Sequence, residues 1–105
     1  MVYDVTADTF KKEVTESNIP VLIDFWSHWC APCGPLGEIL EQMSLIRTDI
    51  KFVRILADEE PELCYIFNIT NLPTLLLFDQ GRTKLVTSGW HTKEEIEEFI
   101  RKGLA

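Results

Sequence analysis

The chain has 105 residues, 46% of them hydrophobic and 26% charged, the balance of one ordinary globular domain long enough to bury a core unaided. A formal charge of −7 argues against nucleic acid and anionic membrane as partners, because both reward positive charge. No apolar stretch approaches the ~20 residues that span a bilayer, and the start, Met1-Val2-Tyr3-Asp4, carries neither the basic region nor the apolar run of a secretory signal. Three cysteines leave one over in any disulfide framework. The expectation is a single domain over residues 1–105, monomeric and cytoplasmic, where a pair of cysteines serves redox or metal chemistry rather than structure.

In chain order, Thr6 or Asp8 is suited to cap a short helix reaching about Glu16, with Phe10 and Val14 on one face. Ser17-Asn18-Ile19-Pro20 ends it. Val21-Leu22-Ile23-Asp24-Phe25-Trp26 is an apolar run that reads as a strand covered on both sides, with Asp24 as its one anomaly. Ile39, Leu40, Met43 and Ile46 are spaced as the core face of a helix. Lys51 to Leu56 reads as a second buried strand, and Pro61 to Phe67 as a short helix with proline in its first turn. Thr74 to Phe78 is a third apolar strand, turned at Asp79-Gln80-Gly81-Arg82 into an alternating edge strand, Thr83 to Thr87. Thr92-Lys93-Glu94-Glu95 fits a capping box that opens a helix with Ile96, Phe99 and Ile100 inward. Strands alternating with helices and ending in a hairpin predict an α/β domain with a mixed central sheet.

Trp29-Cys30-Ala31-Pro32-Cys33 lies between a buried strand and a helix start. Unpaired N–H groups and the positive dipole end of the helix favour a thiolate at Cys30. A thiolate attacks a disulfide and forms a mixed disulfide, which a second thiol must resolve. Cys33 is three residues on, on the same side of the helical turn, so it can reach Cys30. Zinc uses the same cysteine spacing but needs four ligands. Only Cys64, His28 and His91 remain as candidates, without a second paired motif, so redox chemistry is favoured over metal and over two inert core cysteines. Asp24 reads as a buried acid whose pKa desolvation raises, or else as an aspartate at a strand end.

Val21 to Trp26, Trp29 to Cys33, Leu72-Pro73-Thr74-Leu75-Leu76-Leu77-Phe78, Gly81 and Gly89 occur in this order and spacing along essentially the whole chain. In these residues the sequence resembles the thioredoxin family. The resemblance implies a thioredoxin fold, a mixed central sheet flanked by helices on both faces. It implies disulfide reduction with no cofactor beyond the Cys30–Cys33 pair, electrons from a thioredoxin reductase, and disulfide-containing proteins as substrates. It also implies that Asp24 is the acid behind the second cysteine, exchanging the Cys33 proton, and that Pro73 is cis and faces the pair. Trp29, Leu72, Pro73, Gly89 and Trp90 would then border a substrate groove in which an extended segment pairs with the Leu72 backbone.

The sequence departs from the family pattern at Ala31, where glycine is usual, and at Gly34-Pro35, where a basic and an apolar residue are usual. Glu38 stands in place of a helix-kinking proline, and Arg54 in place of a lysine near the acid. Pro35 lacks an N–H and threatens the helix start unless it falls in the first turn. The departures at Gly34-Pro35 and Glu38 keep a redox-sensing binding subunit in view; a disulfide oxidase or isomerase, the other alternative, needs a high potential and an oxidising compartment, against which the missing signal argues. His28 reads as a surface residue, and Cys64 as a small buried hydrophobe.

Overall fold

A computed structural model describes all of residues 1–105. A short strand β1 (Tyr3–Asp4) precedes α1 (Ala7–Phe10), which continues as a π-helical turn over Lys11–Thr15. Then follow β2 (Val21–Trp26), α2 (Cys33–Ile46), β3 (Lys51–Leu56), a 3-10 turn (Ala57–Glu59) and α3 (Pro61–Ile66). The chain ends with β4 (Thr74–Asp79), β5 (Arg82–Ser88) and α4 (Lys93–Leu104). The sheet order is β1-β3-β2-β4-β5. β1, β3 and β2 run parallel, while β4 is antiparallel to β2 and β5 to β4.

Side chains alternate along β2 and so divide between two cores. Val21, Ile23 and Phe25 join Val14, Val53, Ile55, Leu63 and Phe78 on one face. Leu22 joins Leu36, Leu40, Met43, Phe52, Ile96 and Ile100, from α2, β3 and α4, on the other. By the same alternation Asp24 and Trp26 belong to the Leu22 face, and Arg54 follows Phe52 onto it. Asp24 therefore points toward the side that α2 covers, and the first residue of α2 is Cys33.

Strands β2 to β5 and α4 fall where the sequence places them; the differences lie elsewhere. β1 carries no hydrophobic alternation and pairs through only two residues, Tyr3 with Val53 and Asp4 with Arg54. In α2 the buried face is Leu36, Leu40 and Met43, with Ile39 half-buried; Ile46, expected inward, is 72% exposed in the last turn, as is its neighbour Leu45 at 69%. Thr6, not Asp8, caps α1, its N–H donating to the Thr9 hydroxyl at 3.0 Å. The hairpin turn places both Gln80 (φ 54°) and Gly81 (φ 82°) in the left-handed region, as a tight two-residue connection needs. Thr92 and Glu95 form the expected capping box of α4.

Candidate active site

Cys30 and Cys33 form a disulfide, with Cα atoms 5.4 Å apart. The turn that carries them is pinned by a residue the sequence reading passed over. Ser27 is buried, its hydroxyl accepts from the Trp29 N–H at 3.1 Å, and its carbonyl accepts from the Cys30 N–H at 3.4 Å. A short hydroxyl residue at the end of a strand is the one sequence signal for such a turn. Cys33 N–H then donates to the Cys30 carbonyl at 3.1 Å, and Pro32 caps α2. Pro35 occupies the third helical position, where its missing N–H has no intrahelical partner to lose. As a first-turn proline it leaves the helix start intact: Leu36 N–H makes its bond to the Pro32 carbonyl at 3.2 Å, and α2 runs unbroken past Glu38 to Ile46.

The two cysteines differ in access. Cys33 is buried at 4% exposure, whereas Cys30 is partly exposed. Both line a groove of about 630 Å³ together with Asp24, Trp26, His28 and Arg54. Asp24 is 3% exposed and its Oδ1 makes no hydrogen bond within the protein. Burial pushes its carboxyl up to about 7, and the Arg54 guanidinium opposes that rise. Trp26 also leaves its indole N–H without a protein partner. A polar groove of this size beside two such groups has room for the water that would satisfy them.

Arg54 is neither simply solvated nor bonded to the buried acid. It donates to Asp4 Oδ1 at 2.6 Å, and its guanidinium carbon lies 4.7 Å from the Trp26 ring centre. His28 is exposed and meets Trp26 edge-on at 4.7 Å between centroids. Cys64 is partly buried against the Phe10–Phe67 side of the core, its thiol 3.8 Å from the Ala57 carbonyl, and burial raises its pKa. No cluster of three or more histidine, cysteine or acidic side chains is arranged to hold a metal ion.

The Leu72–Pro73 peptide is cis. Thr74 fixes the loop before it, donating from Oγ1 to the Asn71 carbonyl at 2.6 Å. Gly89, at φ 91°, donates its N–H to the Pro73 carbonyl at 2.8 Å, which joins the two loops named by the sequence reading. Only glycine holds that φ without strain. Trp29 is 88% exposed and Trp90 47%, so neither is a core plug.

A family model described as Thioredoxin matches residues 1–102. Thioredoxin of Rickettsia bellii is 36% identical over 105 residues, 99% of this chain and 100% of that protein. Thioredoxin 1 of Synechococcus elongatus is 40% identical over 101 residues, 95% of this chain and 94% of that protein. Thioredoxin of Listeria monocytogenes is 37% identical over 103 residues, 97% of this chain and 98% of that protein. With a cysteine pair bonded at a strand–helix junction in a groove that a buried acid also lines, and with these full-length similarities, the chain belongs to the thioredoxin family and is a thiol–disulfide oxidoreductase.

Proposed function

We propose that the chain reduces protein disulfides, with Cys30 as nucleophile, Cys33 as resolving thiol and Asp24 as the acid–base group behind it. The observation that carries the assignment is the unequal access of the two cysteines, Cys33 at 4% exposure and Cys30 partly exposed. A substrate meets Cys30 first.

In the reduced protein the Cys30 thiolate attacks one sulfur of the substrate disulfide; a Cys30–substrate bond forms and the other substrate sulfur leaves, taking up a proton. Cys33 then gives its proton to the Asp24 carboxylate, through groove water, and its thiolate attacks the Cys30 sulfur. The second substrate thiol leaves and the Cys30–Cys33 disulfide remains. Two electrons have passed to the substrate. A carboxyl near pKa 7 is suited to both directions of that transfer at neutral pH, since it is partly ionised there. Half-buried Leu72, beside the buried cis Pro73, would pair through its backbone with an extended substrate segment, at a docking edge bordered by Trp29, Gly89 and Trp90.

Recycling needs a two-electron donor, for which family membership implies a thioredoxin reductase. The oligomeric state belongs to the proposal as a monomer, supported by sheet edges that discourage pairing: a two-residue β1 and a β5 bearing Arg82 and Lys84. The proposal also takes residues 1–105 as one domain, supported by the single five-stranded sheet. It takes the working compartment as the cytoplasm, supported by the unpaired Cys64. No helix is long and apolar enough to cross a membrane.

The test is turnover of insulin disulfides with NADPH and a bacterial thioredoxin reductase. Sustained NADPH oxidation that requires Cys30 supports the reading; none with any reductase, or with dithiothreitol in its place, overturns it.

A further inference from the structure

His91 lies outside the groove and takes no part in the chemistry above, yet it is the most connected side chain beside the docking loop. Its Nε2 is 3.2 Å from the Ser88 carbonyl oxygen and 3.0 Å from Thr87 Oγ1. A carbonyl only accepts, so Nε2 carries the hydrogen and donates it. Its Nδ1 faces Glu95 Oε1 at 3.7 Å, and Glu95 is the residue that closes the α4 capping box by accepting from Thr92 N–H at 2.8 Å. The side chain of His91 is only 26% exposed.

This contact completes a polar chain across the end of the sheet. The Asn71 carbonyl accepts from Thr74 Oγ1 at 2.6 Å, and Thr74 Oγ1 lies 3.2 Å from Ser88 Oγ. From Ser88 the chain continues through its carbonyl to His91, whose ring lies beside Glu95 in the first turn of α4. Trp90 sits at the apex of a turn held at both ends, by Gly89 N–H on the Pro73 carbonyl and by the His91 ring folded back on Ser88. Trp90 itself stays 47% exposed.

The geometry points to His91 as a positioning residue for substrate docking: it fixes the Gly89–Trp90 loop beside cis Pro73, so that the Trp90 indole is presented before the substrate arrives. A loop ordered in advance spares the ordering cost that binding otherwise carries. The inference rests on the docking edge proposed above.

The test is steady-state reduction of insulin, recycled by dithiothreitol, for the parent, Trp90→Ala, His91→Ala, His91→Gln and the Trp90→Ala/His91→Ala double variant. His91→Ala raises KM for insulin by roughly two- to tenfold, the reach of one lost hydrogen bond, and leaves kcat and the Cys30 thiol titration unchanged. His91→Gln keeps a donor for the Ser88 carbonyl and restores most of the parent KM. The double variant has the KM of Trp90→Ala alone, because the clamp acts only through the indole. If alanine at 91 prevents folding, His91→Leu makes the same comparison by filling the space without a donor. A raised KM in Trp90→Ala with parental KM in His91→Ala, or additive losses in the double variant, overturns the clamp alone. Parental KM in Trp90→Ala overturns the docking edge itself.

Discussion

Asp24 and Arg54 stand opposite each other in the parallel register of β2 and β3, and Asp4 stands opposite Arg54 on the far side. Three charged residues thus cross three adjacent strands in one row. The outer acid, exposed, takes the guanidinium hydrogen bond, while the inner one, buried, feels only its positive field. Arg54 therefore limits how far burial raises Asp24 without neutralising it, and arginine, unlike lysine, does so at any working pH.

Removing that field gives the first prediction. In Arg54→Met the Asp24 carboxyl titrates above the parent value of about 7. Carboxyl-carbon NMR titration of the two proteins checks it; an unchanged or lowered midpoint shows that Arg54 does not act on the acid.

Asp24 also sets a pH dependence of stability. Below about pH 4 the carboxyl is neutral in the folded and unfolded chain alike, and it costs nothing. Between about pH 4 and 7 the unfolded chain releases the proton while the folded chain holds it, so stability falls as pH rises. Above 7 the full cost applies, at most about 4 kcal/mol for a carboxyl held at about 7 instead of 3.8. Asp24→Asn is accordingly more stable than the parent at pH 8, with the gap closing toward pH 4, as urea unfolding measures. In single-turnover reduction the same variant resolves its mixed disulfide about a hundredfold more slowly at pH 7, the scale of a lost general base. Equal single-turnover rates would remove Asp24 from the mechanism.

Much of this was readable in the chain because the relevant signals are local. The run Val21 to Trp26 is apolar at every position but 24, so a buried acid stands out as an interruption. The Cys30–Cys33 spacing and the strand before it locate the site for the same reason. What could not be read depends on contacts between distant segments. The two residues of β1 have no pattern of their own and become a strand only because β3 offers an edge. Ile46 keeps the helical spacing of a core residue but no other segment covers it in the last turn of α2. His91, considered in the sequence only as a metal ligand, gains its partners when β5 brings Thr87 and Ser88 beside the start of α4. Ser27 and Thr74 have the same history: each pins a turn whose course is set by the fold around it.

His28 is exposed and packs edge-on against Trp26. Thiol titration of Cys30 in His28→Gln therefore gives the parent midpoint, checked by ultraviolet absorbance of the thiolate. A shifted midpoint would assign the histidine an electrostatic part.

Cys64 combines partial burial with a thiol that burial and the nearby Asp58 and Glu60 carboxylates keep protonated. In the reduced protein iodoacetamide at neutral pH alkylates Cys30 well before Cys64, since only the thiolate reacts. Peptide mapping over time gives the order, and early labelling at Cys64 would mark it as a reactive site.

The division of labour between the two active-site sulfurs is tested most directly by trapping the intermediate. Cys33→Ser is mixed with a protein disulfide and the product is analysed by mass spectrometry. The account predicts a stable one-to-one mixed disulfide at Cys30 that the parent does not accumulate, and none in Cys30→Ser. A stable adduct at Cys33 in Cys30→Ser, or an adduct of Cys33→Ser at Cys64 in place of Cys30, would contradict it.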